Sequence, residues 1–349
     1  MRSIITATIL ALTAGPALAI EFPMHAHDLA PGERIFTKTH GTGGGPQTNA
    51  KDLLIFRRIA DNNWTNLKEG KTDTGVNANY LIYGRPVYAM APGKVVACWR
   101  NAPENSGDSQ RSEVGTGKIF LQGNHIWIKQ DDGNYALYAH AKTGDIPASL
   151  CPKTAQFLTG KARGGPEYDD PESVVTNGAT VKAGQLLYHA GNSGNSSEPH
   201  LHMHLVNASN TTREMKFARG MTTPFTSNSA SLNGPWTRLN GNALPMGKIL
   251  VWPPHPVGNW VYNGISSTSY QRVFDHFADS QVMPNTITCK NNGASYDTNW
   301  IPSQGAWVSH HGMTSADFAA KKATYAAQGY RLASAYACGN RAVAVWRKP

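Results

Sequence analysis

The sequence has no second apolar run like the one at its start, no block of like charge and only four cysteines. A membrane-spanning helix needs about 20 consecutive apolar residues. The mainly apolar stretch Ile4 to Leu12 is too short, and nothing after it is long and apolar enough, so no transmembrane segment is expected. That stretch follows Arg2 and precedes Ala17-Leu18-Ala19, a small-x-small site, and so reads as a signal peptide. Cleavage near Ala19 would leave a secreted or periplasmic protein, and the lack of a cysteine at the site argues against a lipid anchor. The net charge of +9 is scattered along the chain. Dispersed charge on an exported chain argues against nucleic acid as a partner, and an anionic polymer such as a cell wall suits it better. An even number of cysteines in such a chain suggests two disulfides. Two lie in each half, so Cys98–Cys151 and Cys289–Cys338 are the pairs expected among the three possible sets.

With 349 residues, 40% of them apolar, the chain is long enough for two domains. Its 34 glycines and 21 prolines fit a turn-rich, mainly β protein. The most informative stretch is Ala190 to Val206, AGNSGNSSEPHLHMHLV. Its Gly, Asn and Ser favour a turn. The run His200-Leu201-His202-Met203-His204-Leu205 then alternates polar and apolar, as a half-buried strand does. On such a strand Leu201, Met203 and Leu205 face a core, and His200, His202 and His204 face the other way. At about 3.3 Å per residue, His200 and His202 stand about 7 Å apart, near enough to serve one metal and its water. His204, about 13 Å from His200, makes a poor third partner.

Other histidines read differently. Residues 20 to 39 form an irregular lead-in near a terminus, so His25 and His27 are expected on the surface and not in a metal site. Asp131-Asp132-Gly133 marks the turn of a hairpin over residues 117 to 143. His125, on its outgoing strand, is expected to be structural. The return strand places Tyr138 and His140 on one face.

Gly191-Asn192-Ser193-Gly194 followed by Pro199-His200-Leu201-His202 resembles the last motif of the LytM/lysostaphin-type zinc metallopeptidases. Tyr138-Ala139-His140 resembles the family's middle motif, and Gly84-Arg85-Pro86-Val87-Tyr88-Ala89 resembles the segment that follows its first. Two alignments of the first motif are open. The compact one puts Asp73 and Asn77 where the family has His and Asp. The longer one matches His40, a glycine-rich loop and Gln47-Thr48-Asn49-Ala50-Lys51-Asp52, with an insertion from about Arg57 to Tyr83. The longer is preferred, because it recovers a His and an Asp in order and Asn supplies no anionic oxygen. The resemblance covers roughly residues 36 to 210. It implies an antiparallel β-sheet peptidase core of the duplicated hybrid motif type, with one Zn2+ per chain held by His40, Asp52 and His202. It also implies two catalytic residues: His200 takes a proton from water, while His140 holds that water or stabilises the oxyanion. The substrate class implied is the peptide crosslinks of bacterial peptidoglycan, or another exported peptide. The compact alignment implies instead a metal-free binding or regulatory module.

The organisation expected is a signal peptide over 1–19, a peptidase domain over 20–235, a stiff Pro-rich connector over 236–260 and two tandem α+β repeats over 261–349. The repeats rest on a weak match of the segment from Tyr270 to Phe277 with that from Phe318 to Tyr325, offset by 48, and on Trp300 and Trp346 closing each unit. Thr314 and Asp317 read as a helix start, Phe318 and Tyr325 share its face, and Gly329 ends it. His310 and His311 are expected in a polar turn before that helix. The unit from Trp307 to Trp346 resembles the bacterial tandem-repeat domain, whose aromatics are read as the core of a small domain.

Overall fold

The computed structural model describes residues 19–40, 45–60, 63–162 and 167–349. Residues 1–18, which hold nearly all of the expected signal peptide, and residues 41–44 directly after His40 lie outside the described residues. Two compact units meet in sequence between Pro253 and Pro254. The first is a mainly antiparallel β structure, and the second is a smaller α+β unit.

The first unit is built on a 12-stranded sheet. Across it run Met221–Pro224, Ile249–Trp252, Glu33–Thr39, Lys51–Ala60, Leu201–Val206, Tyr135–Tyr138, His125–Gln130 and Gly93–Trp99, each antiparallel to the next. One face packs a core that includes Ile35, Leu53, Ile55, Ile126, Ile128, Tyr138, Leu201 and Met203, all fully buried. Burying such side chains is the main favourable term in folding. Cys98, within this core, is bridged to Cys151 as expected.

Three expectations need correction here. Residues 236–260 are not a connector: Ile249–Trp252 is a buried strand between Glu33–Thr39 and Met221–Pro224. The lead-in is not loosely held. Phe22 and Met24 are buried in the core, Glu21 N–H donates to Met90 O, and Tyr88 N–H donates to Pro23 O. His25 is buried against Tyr88 and is not a surface residue, whereas His27 is exposed. Tyr138 and His140 do not share a face. The return strand ends at Tyr138, whose hydroxyl reaches Met90 N in the core, and His140 has φ 62°, which breaks the alternation.

The second unit contains the same arrangement twice. Strand Trp260–Ser266, helix Tyr270–Asp279 and strands Val282–Lys290 and Ser295–Pro302 are followed by strand Trp307–Met313, helix Ser315–Ala327 and strands Arg331–Cys338 and Arg341–Arg347. In each three-stranded sheet the last strand lies in the middle. Trp300 and Trp346, on those middle strands, are buried under helix aromatics such as Phe274, Phe277, Phe318 and Tyr325. Thr314 and Asp317 form a reciprocal capping box, which satisfies otherwise orphaned N–H groups. Cys289–Cys338 ties the repeats together. His310 and His311 lie in a strand, not in a turn: His310 Nε2 bonds the Tyr325 hydroxyl at 2.6 Å, and His311 packs on the Tyr270 ring.

Candidate metal centre

Strand pairing sets the centre of the site. Lys51–Ala60 and Leu201–Val206 run antiparallel with His202 directly opposite Asp52 and Leu201 opposite Leu53. Alternation along both strands sends Leu53 and Leu201 into the core and the polar pair to the other face. The strand of the histidines is buried along its whole length, and the half-buried strand expected from its alternation is corrected accordingly.

His202 Nδ1 lies 2.8 Å from Asp52 Oδ1. His40 Nε2 stands 3.5 Å from Asp52 Oδ2, and His200 Nε2 is 3.6 Å from Asp52 Oδ1. One donor atom from each of His40, Asp52 and His202 falls within 4.8 Å of the others, and the same holds for His140, His200 and His202. Two imidazoles and a carboxylate are a suitable donor set for a catalytic Zn2+, which keeps one position open.

Among its structural neighbours are M23 proteins and a zinc-containing peptidase.

Among the solved structures similar to this chain is the catalytic domain of the prophage-encoded M23 protein EnpA from Enterococcus faecalis, at 23% identity over 45% of this chain and 85% of that one, with a TM-score of 0.22. The catalytic domain of the antimicrobial peptidase lysostaphin from Staphylococcus simulans is similar at 22% identity over 42% and 88%, TM-score 0.21. A zinc-containing peptidase from Vibrio cholerae is similar at 15% identity over 47% and 48%, TM-score 0.22. With such TM-scores they lend no argument to the site, whose case rests on its own residues. A family model described as polyglycine hydrolase-like, structural repeat, matches residues 304–349. Comparison with curated proteins found no match.

The site is fixed from outside by hydrogen bonds that decide which nitrogen each ring presents. His140 Nδ1 lies 2.7 Å from Ser193 O, and His200 Nδ1 lies 2.8 Å from Glu198 O. A carbonyl only accepts, so each Nδ1 carries the hydrogen and each neutral ring presents a lone pair at Nε2. Burial, with His200 and His202 close by, holds His140 well below the ordinary histidine range. His40 is lowered too, chiefly by burial. Burial opposes ionisation of Asp52, but the His202 hydrogen bond and the charges available to His200 and His202 outweigh it, so its carboxyl stays below the usual range. A neutral His40 beside an ionised Asp52 is the pair of protonation states a metal cation needs.

The Gly-Asn-Ser-Gly turn holds His140 in place. His140 N–H donates to Gln122 O and its carbonyl accepts from Gly191 N, fixing a positive φ that non-glycine residues adopt rarely. The turn packs so tightly that a Cβ on Gly194 would lie 2.3 Å from Gly123 N. Glu104 Oε1 accepts from Asn192 N, and Asn105 Nδ2 donates to Gly194 O and Ser196 O.

Asp73 and Asn77, the compact alternative, join none of the metal-competent groups among the described residues. Asp73 Oδ1 accepts from Gly75 N, and Asn77 bonds Asn105 O and the Asn192 side chain. His125 is fully buried, with Nδ1 on Gly123 O. Sequence reasoning set His204 aside, yet its Nδ1 lies 3.1 Å from His202 Nε2. The i, i+2 spacing of His202 and His204 was the available signal.

Proposed function

We propose that this chain is an exported zinc metalloendopeptidase that cleaves peptide crosslinks of bacterial cell-wall peptidoglycan. The observation that supports it is the gathering of His40, Asp52 and His202 beside two further imidazoles, His140 and His200, each pinned through Nδ1. His40, Asp52 and His202 would hold one zinc. What zinc supplies when bound at a three-ligand site is Lewis acidity toward a carbonyl oxygen and toward water.

The remaining work falls to the chain's own side chains. His200, whose Nε2 stands 3.6 Å from Asp52 Oδ1, would accept a proton from water as general base. Loss of the Glu198 carbonyl contact would let that ring turn away. His140, kept neutral by burial, also presents a lone pair at Nε2, so it orients the water by accepting a hydrogen bond; a neutral ring in this tautomer cannot donate to an oxyanion. The cleft, about 290 Å³, has walls that include Gln47, Gln110, Gln122 and Asn195. Such amides both donate and accept and match a peptide backbone. Gln122 Oε1 is buried without a hydrogen-bond partner, leaving an acceptor for a substrate N–H. A larger recess of about 520 Å³, lined by Asn49, Asp132, Arg213 and Glu214 among others, brings no histidines together. The two disulfides fit an oxidising compartment, and the basic chain fits an anionic wall. The motifs quoted above supply the substrate class.

Metal analysis of the purified mature protein tests this reading. His40→Ala, Asp52→Ala and His202→Ala should each contain one equivalent of zinc fewer than wild type, and Asp73→Ala the same as wild type. If none of the three lowers the zinc content, the peptidase reading falls and a metal-free binding module replaces it.

A further inference from the structure

A second cluster of metal-competent side chains lies in the lead-in, and none of its residues lines the cleft. One ring nitrogen from each of His25 and His27 and one carboxylate oxygen of Asp28 lie within 4.8 Å of one another. The local backbone brings this about. Ala26–Asp28 is a single 3-10 turn with Asp28 N–H bonded to His25 O. The His25 and His27 rings stack with centroids 5.5 Å apart.

The cluster is held rigidly from outside. The His25 ring stacks on Tyr88 with centroids 4.0 Å apart, and the Tyr88 hydroxyl donates to Asp28 Oδ2 at 3.1 Å. Arg85 donates to Asp28 O, and its other end forms two bonds to Glu33, at 2.9 and 3.1 Å. Arg219 is likewise paired with Glu21. Both nearby arginines are therefore matched by other carboxylates, and the Asp28 carboxylate faces the Tyr88 hydroxyl and His27. His27 Nε2 stands 3.3 Å from Asp28 Oδ1, with about a third of its side chain exposed, so the group opens to solvent on one side. His25 is 9% exposed, and its Nδ1 is buried without a hydrogen-bond partner. A buried unpaired ring nitrogen costs free energy, and a cation bound through Nδ1 would offset that cost.

We infer that His25, His27 and Asp28 form a second zinc site, which clamps the segment after Ile20 to the short strand Pro86–Tyr88 and the residue before it, through Tyr88 and Arg85. Two imidazoles and one carboxylate are borderline donors suited to Zn2+ and not to Ca2+ or Mg2+. Because the group is already gathered, binding pays little ordering entropy.

Zinc stoichiometry of the full mature protein tests the inference separately from the cleft reading. Wild type should bind two equivalents. His27→Ala, at an exposed position, should bind one, His40→Ala one, and the double variant none. Added zinc should raise the melting temperature of His40→Ala but not of the double variant. Asp28→Asn should behave as His27→Ala does. If wild type and His27→Ala bind equal amounts, or if zinc fails to shift the melting of His40→Ala, the second site is refuted. If His27→Ala loses an equivalent and His40→Ala does not, the second site stands and the cleft reading fails.

Discussion

His204 offers the sharpest test of how the cleft is organised. His202 reaches Asp52 through Nδ1 at 2.8 Å and His204 through Nε2 at 3.1 Å. To offer its Nδ1 lone pair to a cation, a neutral His202 must carry its hydrogen on Nε2, and His204 Nδ1 must accept it. Burial holds His204 well below its ordinary range, so the acceptor is a neutral ring. Replacing His204 by Leu removes the acceptor while keeping bulk beside Trp127, whose ring centroid is 5.2 Å away. An unsatisfied buried donor costs about 1–3 kcal/mol. Loss of such an outer partner typically weakens metal binding about 10–100-fold, or about 1.4–2.8 kcal/mol at 1.4 kcal/mol per tenfold. The two routes agree. Chelator competition in a His27→Ala background, where only the cleft is titrated, should show His204→Leu weaker by that factor. His204→Gln, whose amide oxygen can accept, should recover most of the loss. Circular dichroism and thermal melting establish that each variant folds. A folded Leu variant with wild-type zinc affinity, or a Gln variant as weak as Leu, would refute the reasoning.

Other outcomes follow from the same geometry. His200→Ala should keep its zinc and lose about 10²–10⁴-fold in kcat/KM on a peptide substrate, since His200 serves the proton and not the metal; zinc loss in this variant would reassign it as a ligand. Replacing Cys98 and Cys151 together by Ala opens a crosslink spanning 53 residues, and chemical denaturation should show a loss of about 4 kcal/mol on the chain-entropy estimate; an unchanged midpoint would count against a structural role. A fragment from Glu21 to Gly234 should fail to fold, whereas Glu21 to Pro253 should fold. The shorter one lacks Ile249, Leu250, Val251 and Trp252, whose burial is worth about 1.5–3 kcal/mol each, together comparable with the about 5–15 kcal/mol that holds a whole domain. A cooperative melt for the shorter fragment would overturn this.

His200 and His202 were legible together because their spacing is tied to a period, whereas His40, Asp52 and His140 were reached only through motifs that resemble the LytM/lysostaphin type. His200 and His202 come from an alternating run, and Asp52 meets His202 because two antiparallel strands leave it directly across. What alternation could not convey was the environment of each face. It made His204 a distant bystander, because distance was measured from His200, whereas the contact that matters is its neighbour two residues back. Nor could it reveal His140's direction: a strand model puts it with Tyr138, and one positive φ turns it to the opposite side. His25 was misread because proximity to a terminus was taken as looseness, although Phe22 and Met24 on either side of Pro23 carry the apolar surface that anchors the segment.

The same distinction between local composition and burial explains the connector. Prolines at 253, 254 and 256 do signal a break, and the units do divide between Pro253 and Pro254. Extending that signal backward over Ile249-Leu250-Val251-Trp252 ignored a continuous apolar run of four, the mark of a strand covered on both faces. Its faces are indeed both used: Ile249 and Val251 join the main core, while Leu250 packs with Phe36, Leu54 and Phe225 on the other side. The strand pairs directly with Glu33–Thr39, which pairs with Lys51–Ala60, the bearer of Asp52. A segment far from every catalytic motif therefore sits two strands from a candidate ligand. Damage to Ile249–Trp252 should consequently reach the cleft through the register of Asp52 and lower zinc affinity, and a substitution such as Leu250→Ala tests that without touching any histidine.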